Sequence, residues 1–132
     1  MIDLTDVYLQ KAEESLAAAA SELANGRYNS SANRSYYAAF QAAIWALLRA
    51  GIQPRGSSGR WEHDFVQAQF SGQLIHRRKL YPANLRTTLP DLYYLRERAD
   101  YTVHLLDEVR ASRAHRRSEA FVRAVTQGGA SR

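Results

Sequence analysis

Arg96-Glu97-Arg98-Ala99-Asp100-Tyr101 and His104 gather two guanidiniums, two carboxylates, a phenol and an imidazole within nine residues. These groups suit proton transfer and anion stabilisation: an imidazole titrates near neutral pH, and a guanidinium is a planar, permanently charged fork that fits the oxygens of a phosphate. A helix turns about 100° per residue, so Arg96, Asp100 and His104 fall on one stripe at steps of four, and Arg98 lies roughly 120° from His104. Arg96 is therefore the better partner for His104 within one chain, while two such helices facing each other would relax that demand. The same stripe has a structural reading. An Arg96–Asp100 pair at i, i+4 adds a few tenths of a kcal/mol when exposed, and a His104 just past a helix end at Val103 would be explained by the helix dipole.

These groups are set in a chain of 132 residues, enough for one domain with its own core. The hydrophobic fraction of 45% marks it as globular, and the absence of cysteine excludes a disulfide framework or a thiolate metal site. His63, His76, His104 and His115 contain no i, i+4 pair and no carboxylate cluster completes them, so no metal and no cofactor is expected. No apolar run nears the roughly 20 residues of a membrane span, and the first residues lack the basic-then-apolar order of a signal peptide. A cytoplasmic protein with no membrane contact is the expectation. The net charge of +5 is uneven, with −2 in residues 1–48 and +7 in residues 49–132. Such a field admits RNA, DNA or an acidic protein as partner. Sixteen of the eighteen basic residues are arginine, a bias that a GC-rich genome also produces.

The periodicity is helical throughout, with no sustained alternation and no hairpin signal. Leu4, Val7, Tyr8, Ala12, Leu16 and Leu23 predict a helix over 4–24, with Asp3 as N-cap and Asn25-Gly26 as its stop. Tyr28 and Asn29-Ser30-Ser31 read as a short connection. A second, central helix runs from about 30 to Ala50 and carries no charge between Arg34 and Arg49. Pro and Gly make 52–59 a loop. A third helix is expected over about 60–75, then the basic cluster 76–79, then a break near Pro82. A fourth starts at Leu85 or Pro90, and a fifth spans about 107–125 with Asp107 as N-cap. Residues 127–132 should fray. Short loops between long helices give antiparallel neighbours, and the fold class is an all-α up-and-down bundle of four to five helices, a single domain over 1–126.

Three segments in order carry a resemblance: Ser35-Tyr36-Tyr37-Ala38-Ala39-Phe40-Gln41-Ala42-Ala43 with Leu47-Leu48 and Gly51; His63 with Phe70 seven residues on; and Arg96-Glu97-Arg98-Ala99-Asp100-Tyr101. Over residues 5–126 the chain resembles the HEPN superfamily, in particular its small prokaryotic branch with a tyrosine-pair helix. The resemblance implies a helical homodimer, in many cases paired with a nucleotidyltransferase as toxin and antitoxin. It implies a metal-independent ribonuclease in active members, with an arginine, a polar residue and a histidine on one helix and four to six residues between the arginine and the histidine. Arg98 and His104 have five residues between them; counted from Arg96, the position five on is Tyr101. Under this reading His104 takes the proton of a ribose 2′-hydroxyl, and Arg96 or Arg98, with Asp100, organises the phosphate. Tyr101 is then either an acceptor of AMP or a core residue. The alternative is a non-catalytic HEPN domain serving as a protein-interaction or nucleotide-binding module. His63 is expected as a satisfied structural histidine, His76 and His115 as solvated surface, and Arg110, Arg113, Arg116, Arg117 and Arg123 as a basic face on the last helix.

Overall fold

A computed structural model describes residues 3–56 and 58–128, and all its regular elements are helical. Helix α1 (Leu4–Ala24) begins where the Asp3 carboxylate accepts from the Thr5 amide at 3.0 Å, and it ends at Gly26, whose φ of 75° a side chain would resist. Helix α2 (Tyr28–Arg49) starts earlier than expected, since Tyr28 to Ser31 are its first turn and Arg27 gives no side-chain cap. It stops at Ala50 and Gly51, where the Ile52 amide reaches back to the Leu47 carbonyl at 2.9 Å and the Arg78 guanidinium caps the Ala50 carbonyl at 2.9 Å.

After the loop comes α3 (His63–Gln69), which widens into a π-helical stretch over Phe70–Arg77, ending two residues before Lys79 at φ 52°. A 3₁₀ turn (Ala83–Thr87) leads without a break into α4 (Thr88–Tyr101), with Pro90 in the first turn, where its missing amide hydrogen costs nothing. Helix α5 (Glu108–Arg123) is capped by the Asp107 carboxylate, which accepts from the Arg110 amide at 2.8 Å, and it widens over Ala124–Gly128. Gln127 and Gly128 are thus part of a helical end rather than frayed; the remainder of the expected tail lies outside the described residues. Among the described residues no helix is long and apolar enough to cross a membrane.

The core forms around α2, which contacts α1, α4 and α5. Its alanines at 38, 39, 42 and 43 are fully buried, and such small residues let neighbouring helix backbones approach closely. Two buried serines tie the helices together: Ser31 donates to the Ala19 carbonyl at 2.8 Å, and Ser118 to the Ser35 carbonyl at 2.6 Å. At the other side Phe70 stacks on Tyr81 and packs at a tilt against Phe121. A smaller cluster of Ala32, Ala99 and Leu106 holds the end of α4 against the start of α2. Because the α2 interface has no room for methylenes, Ala39→Leu should lower stability by about 1–3 kcal/mol through forced displacement of neighbours. The check is the urea midpoint, with helical circular dichroism retained at zero denaturant.

Candidate functional site

The tyrosine pair on α2 and the charged stretch of α4 meet at Arg96. Its side chain is only 15% exposed, and its guanidinium lies over the rings of Tyr37, Tyr101 and Tyr36, at 5.2, 5.5 and 5.8 Å. Nη2 donates to the Tyr101 hydroxyl at 3.3 Å, and Nη1 lies 3.5 Å from Glu97. Nε is buried 3.3 Å from Asp100 Oδ2 without the alignment of a hydrogen bond, so that contact is Coulombic attraction in a partly desolvated setting. Burial works against the charge, but Tyr37, Tyr101, Asp100 and Glu97 outweigh it and raise the Arg96 pKa. Arg96 therefore keeps its charge at physiological pH.

Asp100 links this arginine to α2. Its Oδ2 accepts from Asn33 Nδ2 at 2.7 Å, and Asn33 Oδ1 in turn accepts from Arg34 Nε and Nη2 at 2.9 and 2.7 Å. A polar relay therefore runs Arg34–Asn33–Asp100–Arg96 across the helix pair. Asn33 and Arg34 stand at the head of the apolar tract, yet sequence reasoning gave them no role. Their signal was an amide and a guanidinium standing just before a tract that carries no charge until Arg49.

Beneath Arg96 the Tyr36 hydroxyl lies 2.8 Å from His63 Nδ1, and the His63 ring stacks on Tyr93 at 3.7 Å between centroids. Burial pushes the Tyr36 pKa far up, so the phenol keeps its proton, and burial lowers that of His63. With both neutral, one proton lies between them. His63 is the satisfied structural histidine that its sequence context predicted.

The rest of the charged stretch departs from a straight helix. Helix α4 ends at Tyr101, because Thr102 turns extended and its hydroxyl donates to the Arg98 carbonyl at 2.6 Å. His104 therefore leaves the stripe of Arg96 and Asp100, and sits exposed in the loop with its amide on Thr102 Oγ1 at 3.2 Å. Asp100 does not reach its imidazole. Arg98 faces away from Arg96, donates to the Tyr94 hydroxyl at 3.3 Å, and has no carboxylate partner among the described residues. Tyr101 is 67% exposed and is no core residue. His115, expected as solvated, is half-buried beside α1, with a Nε2 that finds no partner. The basic face of α5 is partly neutralised, since Arg110, Arg117 and Arg123 pair with Asp107, Asp91 and Glu119.

A family model for the HEPN domain matches residues 5–128, nearly the whole chain. The chain belongs to the HEPN family. No curated protein matches it. The helical bundle is the one the family name implies, and HEPN membership suggests a nuclease or toxin-like module in general terms. In this HEPN domain Arg96 and Asp100 are tied into a network across two helices, whereas Arg98 bonds only within α4, to Tyr94, and His104 is held through its backbone amide.

The lowered pKa of His63 has a sign that can be measured. The unfolded chain takes up a proton near the ordinary value of about 6.5 before the native state does, so stability is full above that pH and declines as pH falls below it. Urea midpoints should drop from pH 7.5 to pH 5, and His63→Gln should flatten that slope; an unchanged slope in the variant would contradict the assignment.

Proposed function

We propose that this HEPN domain is of the small prokaryotic branch and acts as the toxin half of a pair with a nucleotidyltransferase antitoxin. Its activity would be that of a homodimeric, metal-independent endoribonuclease of the cytoplasm. The observation that supports it best is the state of Arg98 and His104: a guanidinium with no carboxylate partner and an imidazole with no bond, both among the described residues, stand at the same end of the bundle, close in sequence. Around them lies an apolar surface, with Tyr94 60%, Tyr101 67%, Leu105 84% and Val103 95% exposed. Exposed apolar residues that gather in one place mark a surface that another chain covers. Covered by a second copy, this end would face two Arg98–His104 sets across one cleft, which removes the need for both groups to share a helix face.

In such a cleft one His104 accepts the proton of the ribose 2′-hydroxyl. The 2′-oxygen then attacks the adjacent phosphorus as the bond to O5′ breaks, leaving a 2′,3′-cyclic phosphate. The imidazole of the second copy gives a proton to the departing 5′-oxygen. Arg98 stabilises the extra negative charge on the phosphate oxygens, and Arg96 and Asp100 hold the helix that presents it. Tyr101 offers an exposed hydroxyl beside Arg96 for transfer of AMP by the partner, and the added anion would occupy the cleft.

A second reading, a non-catalytic module for protein interaction or nucleotide binding, is favoured by one observation: His104 lies beyond the helix and makes no contact with either arginine. The two readings separate in the test tube. With RNA in excess chelator, the protein should cleave, and His104→Ala or Arg98→Ala should each slow cleavage about a hundredfold or more. RNA left intact by the unaltered protein would exclude the nuclease. Independently, Val103→Asp with Leu105→Asp should convert dimer to monomer in sedimentation velocity while the helical spectrum is kept; a monomeric unaltered protein would remove the composite cleft.

A further inference from the structure

A pocket of about 310 Å³, lined mostly by residues with polar side chains, opens beside the relay, between α1, the start of α2 and the end of α4. Ala18 and Glu22 form one wall, Asn29, Ser30, Asn33 and Arg34 the other, and Asp100 closes it. Its hydrogen-bonding capacity is only half used. Both Asp100 contacts fall on Oδ2, leaving Oδ1 as a free acceptor. Asn29 uses its carbonyl oxygen on the Leu106 amide at 3.0 Å, leaving its NH₂ free. Arg34 is the most telling member. Its Nε and Nη2 share Asn33 Oδ1, its guanidinium rests over the Tyr37 ring at 5.0 Å, and it has no carboxylate partner among the described residues. The side-on edge of the fork is occupied, so its end-on edge, Nη1 and Nη2, keeps two donors in a fixed direction.

A free phosphate suits this pocket poorly, because the carboxylates of Glu22 and Asp100 line it. A cation suits it poorly because of Arg34. A neutral group with adjacent acceptors and donors satisfies both walls. Guanine has that edge: O6 and N7 accept from a guanidinium fork, the commonest specific arginine contact to a base, and N1–H or the N2 amine donates to a carboxylate. Adenine would turn an amine toward Arg34, and uracil and cytosine lack the paired N7 and O6. Bases unstacked from a single strand are the usual objects of such recognition in RNA.

We propose that the Asn33–Arg34–Asp100 pocket takes one guanine base of a single-stranded RNA, with Arg34 on O6 and N7 and Asp100 Oδ1 on the Watson–Crick edge. The proposal rests on the nuclease reading for its substrate class, and it makes that nuclease guanine-selective.

The test measures binding with the full chain carrying His104→Ala, in chelator, so that turnover does not enter. Oligouridine strands with a single central guanosine, 7-deazaguanosine, adenosine or cytidine are titrated. The guanosine strand should bind about ten- to a hundredfold tighter than the adenosine strand, as one bidentate pair commands, and 7-deazaguanosine should lose part of that preference with N7. Ala18→Leu, which fills the pocket from α1 while leaving every polar side chain of its lining unsubstituted, should abolish the preference, as should Arg34→Gln, with folding checked by circular dichroism. Equal binding of all four strands, or a preference that survives Ala18→Leu, would overturn the pocket. Guanosine monophosphate bound as tightly as the strand would assign the pocket to a free nucleotide and overturn the RNA proposal. Cleavage without base preference sinks the pocket alone, and guanine preference without cleavage sinks the nuclease alone.

Discussion

A permanently charged guanidinium lodged between two helices constrains everything near it. Arg96 is mostly buried, and a charge removed from water must be met by partners that do not depend on water. Here the partners come from both helices: the faces of Tyr36 and Tyr37 on α2, and Tyr101, Glu97 and Asp100 on α4. Moving α4 by a turn relative to α2 would take the charge off the Tyr36 and Tyr37 faces and break the Asn33–Asp100 bond at once. The interaction therefore sets the register of the helix pair.

A further set of hydrogen bonds carries that register outward. Asp100 is held by Asn33, Asn33 by Arg34, and Tyr36 by His63, which itself stacks on Tyr93. The network joins α2, α3 and α4, and most of it is satisfied internally. Groups spent in this way position others. The groups left over, Arg98, His104, the end-on edge of Arg34 and Asp100 Oδ1, are the ones with capacity for a ligand. Sorting side chains by what their hydrogen bonds already serve thus divides the charged stretch more sharply than helical spacing does.

This division changes the meaning of the positive charge of the second part of the chain. Three arginines of α5 face carboxylates at 2.7 to 3.0 Å, so much of that helix is a solvated, neutralised face. Arg34, in the negatively charged first part, is by contrast held by an amide oxygen and a tyrosine ring, and keeps its field. Net charge along a sequence is a poor guide to where an anion or a base would bind; the pairing decides it.

The bundle itself was legible in the residues. The spacing of Leu4 through Leu23, the uncharged tract after Arg34, Gly26, Gly51 and the Asp3 and Asp107 caps mark the helices within a few residues, because period and capping are local properties. The pairing of Arg96 with Asp100 was legible too, being one helical turn apart. Local rules did not reach the end of α4 at Tyr101, since a single Thr102 hydroxyl on the Arg98 carbonyl moves His104 off the stripe. They did not reach the π-helical widening of α3 and α5, nor the early start of α2 at Tyr28. Nor did they reveal that Asn33, 67 residues away in sequence, holds Asp100. Whether a polar group is already spent depends on partners far along the chain, and only packing brings those into contact.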